Sequence, residues 1–130
     1  MIDFEAITEK DKEVKRKERA MRSLKERATD TSVKISGIPG GNGDKQKMES
    51  ILAAAIDAEA SYKKASDELK ELRSHLRKAM RRLKKWQHKD TIRKRYLEGK
   101  NLNQVAEEIG YEYRQTCRYI EEGKRIINRN

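Results

Sequence analysis

Tyr113, Arg114, Gln115 and Arg118 crowd into one short stretch, and each carries a donor set that reads nucleic acid. Arg matches guanine edges or phosphates, Gln matches adenine edges, and Tyr reaches a phosphate or packs on a thymine methyl. Lys100, Arg93, Arg95, Lys124 and Arg125 flank this stretch as candidate phosphate partners. A second concentration runs from Arg73 to Arg95: eleven Lys or Arg, among them Arg81, Arg82, Lys84, Lys85 and Lys89, against a single acid, Asp90. A solvated helix face is the usual explanation of such a run. A solvated face, however, normally carries acids four residues from its bases. Their scarcity here favours contact with phosphates.

Other chemistries find no support. His75 and His88 stand apart with no nearby Cys or paired carboxylate, so they read as ordinary exposed histidines and not as zinc ligands. Cys117, the sole cysteine, has no neighbouring His and reads as a surface or half-buried thiol. The glycines between Gly37 and Gly43 lack the Gly-Lys-Ser/Thr ending and the preceding strand of a phosphate-binding loop. No catalytic set, metal site or cofactor site can be assembled, and the chain reads as a non-enzyme.

The elements that must hold these residues are constrained by composition. The 130 residues are 35% hydrophobic and 42% charged, with one Trp, one Phe and one Pro. That admits one small domain, or a very small domain plus an extended element. The net charge of +10 points to a polyanionic partner. It equals the excess of bases over acids between Arg73 and Arg95 alone, so the charge is a local feature. With a lone cysteine, no apolar leader and no run able to span a bilayer, the expected compartment is the cytoplasm, with no membrane partner.

Apolar residues at Phe4, Ile7, Val14, Met21, Leu24 and Ala28 predict a helix over 4–28, firmer at its end than at its start. The stretch Ser36 to Asp44 holds four of the seven glycines and the only proline and reads as a loop. Beyond it, steps of four and three give Ile51, Ala55, Ala58, Tyr62, Ala65, Leu69, Leu72, Leu76, Ala79, Leu83 and Trp86. This seam predicts a long coiled-coil-like helix from Lys45 to Trp86 or His88, with Tyr62 and Trp86 in its core and not serving as stacking platforms. The first helix is expected to fold back antiparallel on Ile51 to Leu72. Leu76 to Trp86 is then left unused, which motivates a homodimer through that seam. Asp90 is a plausible N-cap for a short helix Thr91 to Leu97 ending at Gly99. Asn101 and Gln104 form a capping box for a helix Leu102 to Ile109, Gly110 supplies a corner, and a last helix spans Tyr113 to Ile127, with Gly123 inviting fraying. In that reading Val105, Ala106, Thr116, Tyr119 and Ile120 face inward and Tyr111 packs under the corner.

The expected architecture is therefore all-α: a long N-terminal helical hairpin (1–88), then a small C-terminal helix-turn-helix domain (89–130). The segment Ile92 to Leu102, followed by Val105-Ala106-Glu107-Glu108-Ile109-Gly110-Tyr111-Glu112-Tyr113-Arg114-Gln115, resembles region 4 of bacterial sigma factors. It is more similar still to small phage late-gene transcription activators of the ArpU and RinA groups. Arg27-Ala28-Thr29 leading into a Gly-rich loop and a long helix matches that class as well. The resemblance implies a sequence-specific, double-stranded-DNA-binding transcriptional regulator, acting in the cytoplasm of a bacterial host cell, with the Tyr113 to Arg125 helix in the major groove. Two positions depart from the pattern: Glu112 stands at a cap where Ser or Thr is usual, and Thr116 stands where an apolar residue is usual, predicting a looser corner. Two alternatives stay open, a phage DNA-packaging subunit of small-terminase type and an adaptor that binds RNA polymerase through the sigma-like fold.

Overall fold

The computed structural model describes residues 1–35 and 42–129. Five helices run in chain order, α1 (Phe4–Ile35), α2 (Asn42–Ala79), α3 (Trp86–Ile92), α4 (Leu102–Ile109) and α5 (Tyr113–Ile127). No strand occurs among the described residues, and no helix there is long and apolar enough to cross a membrane. The expected loop at 36–44 lies outside the described residues over 36–41; Asn42 to Asp44 are already helical. The all-α architecture, with α1 and α2 packed together ahead of a small helical C-terminal part, is as expected.

Two compact units are present, interleaved in sequence. Unit 1 comprises Met1–Asp11 and Leu69–Asn130, and unit 2 comprises Lys12–Glu68. The expected junction at residues 88 and 89 falls inside α3.

Unit 2 is a helix pair with a thin core. Its buried residues are Ala28, Ala55 and Ala65 among those described, while Ile56 is 67% exposed. Small side chains let two helix backbones approach closely but bury little area. Ion pairs lie along its surface, Glu13 with Lys17 at 3.1 Å, Glu18 with Arg22 at 2.6 Å and Lys25 with Glu59 at 3.5 Å.

Unit 1 has a conventional core of large side chains. Leu76, Ile92 and Val105 are completely buried, with Ile7, Leu83, Ile120 and Ile127 nearly so. The start of α1 is anchored here, against the expectation of a loose beginning. Asp3 Oδ1 accepts from the Ala6 amide at 3.0 Å, capping the helix, and the Phe4 ring meets Tyr96 at 4.9 Å. Asn128 receives the Ile2 amide at 2.8 Å and donates to the Ile2 carbonyl at 3.0 Å, fastening the N-terminal residues to the end of α5.

Three further expectations are corrected. The long helix stops at Ala79, and a short 3₁₀ turn over Met80–Arg82 leads to extended backbone at Leu83. The turn swings Leu83 into the core, and the Arg82 guanidinium reaches the carbonyls of Ile127 (3.0 Å) and Arg129 (2.6 Å). Leu76 and Leu83 are therefore covered within unit 1, and Trp86 is left as the exposed end of the seam that motivated a homodimer. Asp90 does not cap a helix; α3 starts after Lys85 and continues through one π-helical turn, Arg93–Leu97, closed by the Glu98 amide donating to the Arg93 carbonyl. Gly123 marks no fraying: α5 runs on to Ile127, and a Cβ at Gly123 would stand 3.0 Å from Ile92 Cγ1, so glycine here lets α3 and α5 touch.

Candidate nucleic-acid interface

The corner between α4 and α5 follows its local chemistry. Asn101 accepts from the Gln104 amide at 2.9 Å while the Gln104 side chain accepts from the Asn101 amide at 3.0 Å, so both halves of the capping box form. Gly110 sits at φ 78°, the left-handed conformation that ends α4 without strain for glycine. Glu112 occupies the N-cap of α5 without a side-chain capping bond. The expected loosening at Thr116 is absent: the residue is completely buried, and its hydroxyl donates to the Glu112 carbonyl at 3.0 Å. A buried hydroxyl with a partner incurs little penalty.

With Thr116, Ile120, Gly123 and Ile127 turned inward, α5 presents the opposite face outward. Tyr113, Arg114, Arg118 and Arg125 are exposed, while Gln115 and Cys117 are half-buried. Spacings of four and seven align Arg114, Arg118 and Arg125 in one stripe along the helix. Glu121 interrupts that stripe and pairs with Lys124 at 3.4 Å. Lys124 itself lies off it, its ammonium 5.5 Å from the Phe4 ring centre and 5.9 Å from that of Tyr96.

Nine of the eleven bases of the run fall into two groups. One group is engaged inside unit 1 by acids and backbone carbonyls, several of them far along the chain, which corrects the expectation that partners are missing. Arg73 pairs with Asp11 at 3.1 Å and donates to the Tyr96 carbonyl at 2.9 Å. Arg93 pairs with Asp90 at 2.6 Å, Lys94 with Glu108 at 3.3 Å, and Lys100 with both Glu108 (2.6 Å) and Glu98 (3.0 Å). Arg95 donates to the Lys100 carbonyl at 3.0 Å, and Arg82 to the carbonyls already described. The hydrogen bond from Lys100 holds the Glu108 carboxyl below the ordinary carboxylate range, and Glu108 followed by Glu98 raises the Lys100 ammonium above the ordinary lysine value. The other group, Arg81, Lys84, Lys85 and Lys89, is exposed and makes no ion pair with the described residues.

Glu122 connects this second group to α5. It bonds His88 Nε2 at 2.9 Å, and its carboxyl is lowered by that hydrogen bond first and then by the nearby charges of Lys85 and Arg118. Lys85, ahead of α3, and Arg118, on the outer stripe of α5, thus both lie near enough to Glu122 to act on it. His88 is buried, 4% exposed, contrary to its reading as a surface histidine, and its Nδ1 has no partner. Among the described residues no group of three or more His, Cys, Asp or Glu could hold a metal ion.

The sequence reading missed an aromatic series that starts at His88. His88 meets Tyr119 at 6.0 Å, Tyr119 meets Tyr111 edge-on at 5.2 Å, and Tyr111 meets Trp86 at 6.0 Å. Trp86, assigned to the seam core, is 51% exposed. The available signal was its position between Lys84, Lys85 and Lys89, a setting unlike a coiled-coil core. No family model matches the chain, and neither a curated protein nor a solved structure matches it.

Proposed function

We propose that unit 1 is a sequence-specific reader of duplex DNA and that the chain regulates transcription, of phage or prophage late genes in keeping with its resemblance to the ArpU and RinA activators. The observation that carries this reading is the exposed stripe of Arg114, Arg118 and Arg125 on a helix set by a tight glycine corner, with Lys85 acting on Glu122 of the same helix and exposed Lys84 and Lys89 flanking Lys85 in sequence. A helix of this kind enters a major groove about 12 Å wide. Its Arg side chains then meet base edges while the flanking lysines neutralise phosphates. The bases engaged within the fold, Arg93, Lys100 and Arg82 among them, support the domain and leave phosphate contact to the unpaired group.

Footprinting on the DNA adjoining the chain's own coding sequence tests the reading, because it reports binding, site length and half-site symmetry together. A protected site of defined sequence is expected, lost on combined Arg114→Ala and Arg118→Ala substitution. Uniform weak protection across the fragment, unchanged by that pair, would count against sequence reading.

A further inference from the structure

We infer that Trp86 is a DNA-contacting residue, its open indole face packing on the sugar edge of a duplex strand while Lys84, Lys85 and Lys89 meet the adjoining phosphates. The inference rests on the duplex-reading proposal and adds a second contact surface to it, beside the groove entered by α5.

Three observations converge on this residue. The seam offers Leu83 and Trp86 as successive apolar positions, yet the 3₁₀ turn buries Leu83 to 2% exposure and leaves the only tryptophan of the chain half open. Hiding the larger ring would remove more apolar area from water, so folding alone does not account for the choice. Next, the ring is braced. Tyr111 contacts it at 6.0 Å with a tilt of 38°, Tyr111 is backed by Tyr119, Tyr119 by His88, and His88 is bonded to Glu122. The ring is thereby braced while half of the residue stays open to solvent. Finally, the surroundings select the occupant: Lys84, Lys85 and Lys89, within three residues of Trp86, are exposed and without ion pairs among the described residues, and Arg118 joins Lys85 in acting on Glu122. A cationic collar repels a second copy of the same surface and attracts a polyanion. An indole supplies an apolar face for deoxyribose and an N–H donor for phosphate.

Because Trp86 is the sole tryptophan, its emission reports on this contact without a label. The full chain is titrated with the footprinted duplex, and binding is followed separately by anisotropy of a dye on the DNA. The emission is expected to change saturably with the same midpoint as the anisotropy. Trp86→Leu is expected to weaken binding about five- to tenfold for specific and scrambled duplexes alike, leaving the salt dependence unchanged. Trp86→Phe, which keeps a ring against Tyr111, is expected to restore most of the affinity, with helicity by circular dichroism confirming that both variants fold. If anisotropy saturates while emission stays constant and Trp86→Leu binds as the parent does, the Trp86 contact is wrong and the duplex reading stands. If no duplex raises the anisotropy, both fall. An emission change that follows protein concentration without DNA assigns the face to a second copy and overturns the inference. An equal response to polyglutamate at the same salt assigns it to an acidic polypeptide, with the same consequence.

Discussion

Unit 2 buries alanines, Ala28, Ala55 and Ala65, whereas unit 1 buries Leu76, Ile92, Val105, Ile7 and Phe4. Both are built from charged helices, and both carry abundant Lys and Arg. The difference lies in what each apolar seam meets. An alanine seam brings two helices close at little gain per residue, while the leucine end of the same seam belongs to the unit that also holds α3, α4, α5 and the start of α1. Unit 1 can therefore hold side chains in fixed positions, which a reading surface requires, and the candidate interface lies wholly on it.

The largest test of that contrast is truncation of the two seams. Leu76→Ala should cost about 2–5 kcal/mol through lost burial and the cavity left behind. Ala55→Gly in unit 2 should cost about 1 kcal/mol, mainly through helix propensity. Urea unfolding followed by circular dichroism measures both, and equal losses would break the comparison. A smaller pair of effects separates the two left-handed glycines of unit 1. Gly110→Ala meets open space and should cost about 1–2 kcal/mol from backbone strain alone. Gly99→Ala should cost more, since its methyl would stand 3.1 Å from Asp11 Oδ2 and 3.4 Å from Arg73 Nη2, pressing on the ion pair that ties α1 to α2 within unit 1. Asn101→Ala, which removes the capping box beside the corner, should cost about 1 kcal/mol by the same assay.

The smallest effects are electrostatic. Glu108 and Glu122 have carboxyls lowered in the folded state, so their contribution to stability is present above about pH 4.3 and is lost as pH falls through their folded values. Lys100 is raised, so its contribution is present below about pH 10.4 and is lost as pH rises through its folded value. Glu122→Gln should flatten the acid limb of the stability profile, measured by thermal unfolding from pH 3 to 7. An unchanged limb would remove Glu122 from that account.

Features fixed by neighbouring residues were legible before the fold was known. The capping box, Gly110, and the bounds of α4 and α5 depend on contacts a few residues apart, and the seam register holds as far as Leu83. Features decided across the chain were not. No Gly or Pro announces the end of α2 at Ala79; Arg82 reaching Ile127, 45 positions later, helps to hold the turn. The grip of Asn128 on Ile2 spans 126 positions, and Asp11 neutralises Arg73 from 62 positions away. For the candidate site, the outward face of α5 followed from helical spacing. Which bases remain unpaired, and that Trp86 stays open beside them, followed only from tertiary contacts.

The most direct test is the ratio of affinities for the footprinted duplex and a scrambled one, measured by anisotropy at two salt concentrations. The parent chain should discriminate by about 10³ or more and lose affinity steeply with salt. Arg114→Ala with Arg118→Ala should collapse that ratio, whereas Lys84→Ala with Lys85→Ala should keep it and reduce the slope of log affinity against log salt by about 2. A parent chain that binds both duplexes equally, with a salt slope indifferent to Lys84 and Lys85, would contradict the assignment of unit 1 as a sequence reader.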